Sequence, residues 1–256
     1  MGFREGTAGP VTLPRGRRVI GADLDADGIT AAVREHGLVA GRVVDVTDPI
    51  AVETLVSQII AEEGRIDLVI NSVGVAIAGE LRDAGVEDLR GAVEVNLMGT
   101  IFTTLSAYRH MVPQGSGTIV NISSGSGLFP LPARTHYTTT KFGVVGFSTA
   151  LRQEARRLGI HVCVACPGVV KTAIFGRVRL VGPIDRGAVA ARLASNRGLS
   201  PDLAAQRILR GVAAKRAIIT IDRQVRLLWF LWRFLPGIFE RLTDRMAGVL
   251  DSYRLT

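Results

Sequence analysis

NISSGSGLFPLPARTHYTTTK, residues 121–141, is the segment from which the rest of the chain takes its meaning. It continues an apolar run, Thr118-Ile119-Val120, that reads as a buried strand. It ends in Tyr137-x-x-x-Lys141, at the start of a helical pattern. Such a spacing is about one helical turn, so Tyr137 and Lys141 share a face. Ser123 and Ser124 stand at the strand end. Phenol, ammonium and hydroxyl therefore meet above the C-terminal edge of a sheet, where open α/β folds place their ligands.

The chemistry of that trio follows from elementary electrostatics. A free phenol titrates near pH ~10, too high for a base at neutral pH. An ammonium held about 4 Å away contributes roughly 4 kcal/mol at an effective dielectric of ~20. That is about 3 pKa units in favour of phenolate. On this reasoning Tyr137 exchanges a proton with an alcohol or ketone near neutral pH, and Ser124 holds the same oxygen. A YxxxK spacing alone more often marks two surface residues of a helix. The preceding NISS, and the step from Ser124 to Tyr137, make the signal specific.

Taken with these residues, the chain resembles the short-chain dehydrogenase/reductase family, from about Arg18 to about Ile221. The resemblance implies a doubly wound parallel α/β sheet of the Rossmann type. It also implies catalysis by Asn96, Ser124, Tyr137 and Lys141, with Asn96 supporting a water that relays protons to Lys141. Asp23 ends the strand pattern Arg18-Val19-Ile20-Gly21-Ala22-Asp23 and has no basic residue immediately after it. A carboxylate there accepts hydrogen bonds from ribose hydroxyls and repels a 2′-phosphate, which favours NAD over NADP. Asp45-Val46 resembles the family's adenine contact. Asn71-Ser72-Val73-Gly74 stands where the family has NNAG, departing from it at Ser72 and Val73, and Gly74 permits close backbone approach to the cofactor. Pro167-Gly168-Val169-Val170-Lys171-Thr172 resembles the PGxVxT segment, so Pro167, Gly168, Val170 and Thr172 are expected at the nicotinamide. Tyr137 and Lys141 are expected to touch the cofactor too. The resemblance further implies a homodimer or homotetramer built through the two long helices.

The pattern along the chain agrees with that fold. Helices are expected over 27–36, 49–64, 86–111, 137–158 and 202–215. Strands are expected over 18–23, 42–46, 66–70, 118–122, 160–165 and 217–221, and the alternation calls for a parallel sheet covered on both faces. Asp48-Pro49 opens its helix with an N-cap and a first-position proline. Three regions result: an atypical segment 1–17, a Rossmann-like domain 18–221, and an amphipathic C-terminal extension 222–256.

Composition narrows the alternatives. At 47% hydrophobic and 21% charged residues, the 256-residue chain has the content of a folded α/β domain. The net charge is +8, yet only three of the 31 basic residues are lysines, and the arginines are scattered. No basic cluster with a nucleic-acid motif accompanies them, so nucleic acid is not an expected partner. Cys163 and Cys166 form a CxxC within a strand pattern, where side chains three apart face opposite ways. They read as buried thiols rather than metal ligands, and no metal is expected. The N-terminus lacks the apolar core of a signal peptide, and a cytoplasmic protein is expected.

One family element is missing. The phosphate-binding TGxxxGxG should precede the ribose acid by about 20 residues. Gly2, Gly6 and Ala8 imitate part of it, but Pro10 and Pro14 interrupt the helix that should follow. The first strand and glycine loop are therefore atypical or absent. Two readings stay open: Val11-Thr12-Leu13 forms a short surrogate strand, or the chain is a misread or frameshifted start of a longer enzyme. Either way, weak NAD binding is expected.

The segment 225–239, VRLLWFLWRFLPGIF, holds both tryptophans and is too short and too charged to span a bilayer. It suits either a helix covering a pocket or subunit interface, or a helix lying peripherally at a membrane surface. Beside Leu128-Phe129-Pro130-Leu131, it points to a hydrophobic alcohol or ketone as substrate. A different class stays open as well: a non-catalytic relative whose surfaces bind a membrane or a partner.

Overall fold

A computed structural model describes residues 17–172, 177–194, 198–251 and 253–254. The segments expected to imitate the glycine loop and to form a surrogate strand lie outside the described residues.

Strand and helix alternate from the start: β1 (Ile20–Asp23), α1 (Ala26–His36), β2 (Ala40–Val43), α2 (Pro49–Glu63) and β3 (Leu68–Asn71). A two-residue strand β4 (Ile77–Ala78) precedes α3 (Val86–Val93), a π-helical turn (Glu94–Met98) and α4 (Gly99–Gln114). Then come β5 (Gly117–Ile122), α5 (Thr135–Ala155), β6 (Ile160–Ala165), β7 (Arg179–Leu180), α6 (Arg186–Ala194), α7 (Pro201–Ala213) and β8 (Ile218–Ile219). Two helices, α8 (Arg223–Phe234) and α9 (Pro236–Asp251), form the C-terminal extension. Local chemistry sets several boundaries. Asp48 Oδ1 accepts from the amides of Ile50 and Ala51 at 2.9 and 3.1 Å, ahead of Pro49 in the first turn. Asp222 caps α8 by accepting from Val225 N at 2.8 Å.

All the strand pairs are parallel, as expected. The expected single sheet, however, is divided. One sheet has the order β3-β5-β6-β8, and β1 pairs with β2 apart from it. Among the described residues, no strand joins β1 to β3, so each keeps one unpaired edge. The sheet packs between helical layers. Met111, Ile119, Ala155 and Val162 form the core beneath α4 and α5. Val120, Cys163, Ala204 and Ile208 form the core beneath α7. The β1–β2 pair is covered by α1, whose Ile29 lies against Gly21 and Gly41; beyond β2, Val44 and Val46 pack with Val52 of α2 and Phe102 of α4.

The division leaves a mark on burial. Ile70 and Val120 are register partners on neighbouring strands and face the same side. Val120 is 0% exposed, whereas Ile70 is 40% exposed. A strand inside a doubly wound sheet is ordinarily covered on both faces; here the cover over Ile70 is incomplete.

Other differences concern helices. The helix expected over 86–111 is interrupted by the π-turn, which the periodicity of the sequence does not reveal. The strand expected over 42–46 ends at Val43, so Asp45 and Val46 lie beyond it. The C-terminal apolar segment is divided at Pro236 into α8 and α9.

The unequal cover predicts unequal mutational costs. Val120→Ala is expected to cost about 2–4 kcal/mol in urea unfolding, and Ile70→Ala less than about 1.5 kcal/mol. Equal losses at the two positions would show that Ile70 is covered after all.

Candidate active site

The end of β5 is held against α5 from both directions. Ser123 Oγ donates to the Lys141 carbonyl at 2.8 Å, and Lys141 Nζ donates to the Ile122 carbonyl at 3.2 Å. The following turn, Gly125–Gly127, lies so close to α5 that a side chain at Gly127 would meet Ser123 Oγ and the Lys141 carbonyl. Its first amide is fixed too, because Gly125 N donates to the Pro167 carbonyl at 2.7 Å. This anchoring presents Ser124 to Tyr137, where the serine hydroxyl favours the ionised phenol. Helix spacing and the strand end thus bring Ser124, Tyr137 and Lys141 together as expected.

The electrostatics differ from expectation. Burial pushes the Tyr137 phenol above its usual value, and only the Ser124 hydroxyl and the Arg134 charge oppose this. Lys141 is 3% exposed, and burial lowers its ammonium to about 8, with Cys166 acting the other way. The Lys141 charge is not among the influences on the phenol. Its Nζ lies 5.6 Å from the Tyr137 ring centroid and is directed at a carbonyl, while desolvation disfavours both charged forms. Arg134 was not singled out by sequence pattern. A cation one turn ahead of Tyr137 was the available signal.

Asn96 occupies the π-turn and is fully buried. Its Oδ1 accepts from Val75 N at 2.7 Å. Its Nδ2 donates to the Val75 carbonyl at 3.0 Å and to Thr140 Oγ1 at 3.1 Å. The side chain thereby ties the 72–76 loop to α5 as a positioning residue. Gly74 is drawn in: a Cβ there would lie 3.3 Å from both Asn96 Oδ1 and Lys141 Nζ. The absence of a side chain keeps that approach open.

Asn71 departs from its expected place. Its amide turns inward, donating to Thr104 Oγ1 at 3.0 Å and to Asn121 Oδ1 at 2.8 Å. Asn121 in turn donates to Ser148 Oγ at 2.9 Å. This buried polar ladder crosses from β3 to α5 beneath the site, and sequence reasoning missed it. The signal was present as an asparagine ending each of two apolar runs, Val69-Ile70-Asn71 and Ile119-Val120-Asn121.

The remaining cofactor candidates divide into two groups. Gly168 N donates to Asp222 Oδ2 at 3.0 Å, and Val170 bridges to Leu199, so the Pro167–Thr172 segment is held at the C-terminal edge of the sheet. Asp23 and Asp45 belong to the separate β1–β2 region. Asp23 Oδ1 accepts from Asp25 N at 3.1 Å, and Asp45 Oδ1 accepts from Thr47 N at 2.9 Å. The Val46 side chain is core, packed against Gly99.

As a dinucleotide site, this arrangement fits the nicotinamide-ribose half: the Gly74 cradle, Lys141 and the anchored Pro167-Gly168 turn converge. The pyrophosphate half is not matched by α1, whose N-terminus carries Asp25 and Asp27; carboxylates there disfavour a phosphate. Cys163 and Cys166 are buried on opposite sides of the sheet and belong to different cores. Burial pushes their thiols up to about 11 and about 12.

Comparison with known proteins agrees with the geometry. The family model for short chain dehydrogenases matches residues 12–180. SadH of Mycobacterium tuberculosis is 31% identical over 242 residues, covering 91% of this chain and 86% of SadH. A short-chain dehydrogenase from Streptomyces avermitilis superimposes with a TM-score of 0.74 at 24% identity, covering 91% of this chain and 88% of that one. A short-chain dehydrogenase/reductase from Burkholderia phymatum, solved in complex with NAD, has a TM-score of 0.75 at 22% identity, covering 84% and 83%. With matched sequence over most of its length, a parallel Rossmann-like sheet, and serine, tyrosine and lysine gathered at its edge, the chain belongs to the short-chain dehydrogenase family.

Proposed function

We propose that this oxidoreductase interconverts a secondary alcohol and a ketone on a hydrophobic, lipid- or steroid-like substrate, with NAD preferred to NADP. The observation that carries the reading is the Ser124–Tyr137 hydroxyl pair, one turn from a buried Lys141 at the sheet edge. When bound, NAD would accept the hydride in alcohol oxidation, and NADH would donate it in ketone reduction. The protein's own work is proton transfer and positioning. In the direction of ketone reduction, the neutral Tyr137 phenol donates its proton to the substrate oxygen, which Ser124 also holds. In alcohol oxidation, the proton returns to the phenolate, favoured by Ser124 and Arg134. Lys141, with its ammonium near pH 8, is poised to exchange protons with that pair. Asn96 keeps the facing loop in register with α5.

Asp23 at the end of β1 supports NAD through its negative charge. A hydrophobic substrate is supported by α8 and α9, which close over Leu128 and Phe129; the Phe129 and Phe239 rings meet edge to face at 6.0 Å. Assembly through α4 and α5, as a homodimer or homotetramer, is supported by outward Leu105 and Phe142. We place the enzyme in the cytoplasm, touching a membrane peripherally through 225–239. The exposed Leu227, Phe230 and Phe234 support that contact. Trp229 and Trp232 do not, because they pack on the Leu128–Phe129 core. Among the described residues, no helix is long and apolar enough to cross a membrane.

A second reading, a non-catalytic relative that binds a membrane or partner, is favoured by one observation: among the described residues, no strand joins the facing edges of β1 and β3.

Turnover of a lipophilic secondary alcohol with NAD, followed by NADH absorbance, is expected for the wild type. Tyr137→Phe should lower it by about 10²–10⁴-fold; an unchanged rate would remove the tyrosine from the mechanism. Calorimetric titration is expected to give NAD a Kd near about 1 mM, about 4 kcal/mol of binding. Micromolar binding would show that the pyrophosphate is well held. Lys141→Met tests the buried cation. Between pH about 8 and the ordinary lysine value of 10.5, the unfolded chain holds a proton that the folded chain has lost. Wild-type stability from this group therefore rises with pH in that window. The variant should melt higher than wild type at pH 7, with the advantage shrinking from about pH 8 upward, and should be inactive. A pH-independent difference in Tm would exclude a buried ammonium.

A further inference from the structure

Two features meet beside β8, the edge strand of the four-stranded sheet. The first is a cleft of about 530 Å³ between α7, the residues flanking β8 and the start of α8. Arg207, Arg210, Arg216, Arg223 and Arg226 line it, and Asp222 is the one acid in its lining. Both oxygens of Asp222 are engaged, Oδ1 by Val225 N at 2.8 Å and Oδ2 by Gly168 N at 3.0 Å. Arg207 donates to the Ile221 carbonyl at 2.7 Å. Among the described residues, no carboxylate lies within ion-pair distance of Arg210, Arg216, Arg223 or Arg226. Like charges gathered round one concavity create a field that draws an anion, and guanidinium forks match phosphate oxygens.

The second feature is the outward face of α8. Val225 is buried, and Leu228, Trp229 and Trp232 pack toward the core. Leu227, Phe230 and Phe234 are 58%, 52% and 62% exposed. Positions 223, 226, 227, 230 and 234 recur at helical spacing, so Arg223 and Arg226 share the outward face with these three apolar residues. An apolar helix face next to concentrated positive charge is the signature of attraction to an anionic membrane surface. A second copy of the chain fits less well: a twofold contact through this face would set one arginine cleft against its equivalent.

We propose that this face docks on an anionic phospholipid bilayer, with a lipid phosphate in the arginine cleft and Leu227, Phe230 and Phe234 entering the acyl boundary. The proposal rests on the peripheral contact put forward above and adds the headgroup charge and the residues that recognise it. It places the hydrophobic substrate's source, the bilayer, beside the helix that covers the catalytic loop.

Co-sedimentation of the full chain with phosphatidylcholine vesicles, and with equimolar phosphatidylcholine–phosphatidylglycerol vesicles, tests it. The chain should partition strongly to the anionic vesicles and less so as salt is raised. Arg210→Gln with Arg226→Gln should lower that partitioning by roughly thirtyfold, the effect of two arginines at an anionic surface. Phe230→Ser with Phe234→Ser should weaken binding to both vesicles. All these side chains are exposed, and circular dichroism melting verifies that the variants fold. Equal binding to both vesicle types overturns the headgroup assignment but leaves the peripheral contact standing. No sedimentation with either overturns both. Calorimetric binding of inorganic phosphate by a chain that ignores anionic vesicles makes the cleft a site for free anions and overturns the bilayer. A dimer that ignores vesicles and dissociates in the arginine variant, by analytical ultracentrifugation, gives the face to a second copy and overturns it too.

Discussion

Two hydrogen bonds running in opposite directions stitch α5 to the end of β5: Ser123 Oγ to the Lys141 carbonyl, and Lys141 Nζ to the Ile122 carbonyl. A strand end and a helix interior are otherwise free to slide past one another by fractions of an ångström. This stitch removes that freedom at the level where Tyr137 meets Ser124. It also explains why so hydrophilic a side chain as Lys141 is tolerated in the interior. A buried ammonium is costly unless a polar group answers it, and here a backbone carbonyl does so. The lysine is thus structural and electrostatic at once. The gap between its two proton states is narrow near neutral pH because the protein meets part, and only part, of its solvation.

Around the stitch lies a second layer of constraint. Asn96 joins the 72–76 loop to Thr140 on α5, and the ladder from Asn71 through Asn121 to Ser148 joins β3, β5 and α5. Each is a buried polar network whose members satisfy one another, which makes it intolerant of slippage. A shift of β3 against β5 by one residue would turn Asn71 away from Asn121 and break the hydrogen bond between their amides. The polar residues below the site therefore define strand register more sharply than the apolar core does.

What the sequence made legible, and what it did not, follows from the kind of interaction involved. Tyr137, Lys141 and Ser124 could be placed because a one-turn spacing and a strand end are local facts. The Asp48-Pro49 helix start was legible for the same reason. Arg134 acts on Tyr137 through its field, and its only trace in the sequence is a cation one turn earlier. The inward turn of Asn71 depends on Asn121, fifty residues away and visible only once β3 and β5 are paired. The two faces of α8 were also ambiguous, since apolar residues stand on both; packing assigned the tryptophans inward and the phenylalanines outward. The altered glycine loop did forewarn of a divided sheet, yet only the strand pairing shows that, among the described residues, the division falls between β1 and β3.

The π-turn at Glu94–Met98 has a consequence of its own. An inserted residue in a helix advances the phase of everything after it by about 100°. The faces of α3 and α4 are therefore offset, and Asn96 is displayed at the offset itself rather than on either regular cylinder. A one-residue deletion there would restore an unbroken helix but rotate the buried Thr104 and Met111 of α4 off the sheet. Length in this short span is thus constrained together with the identity of Asn96.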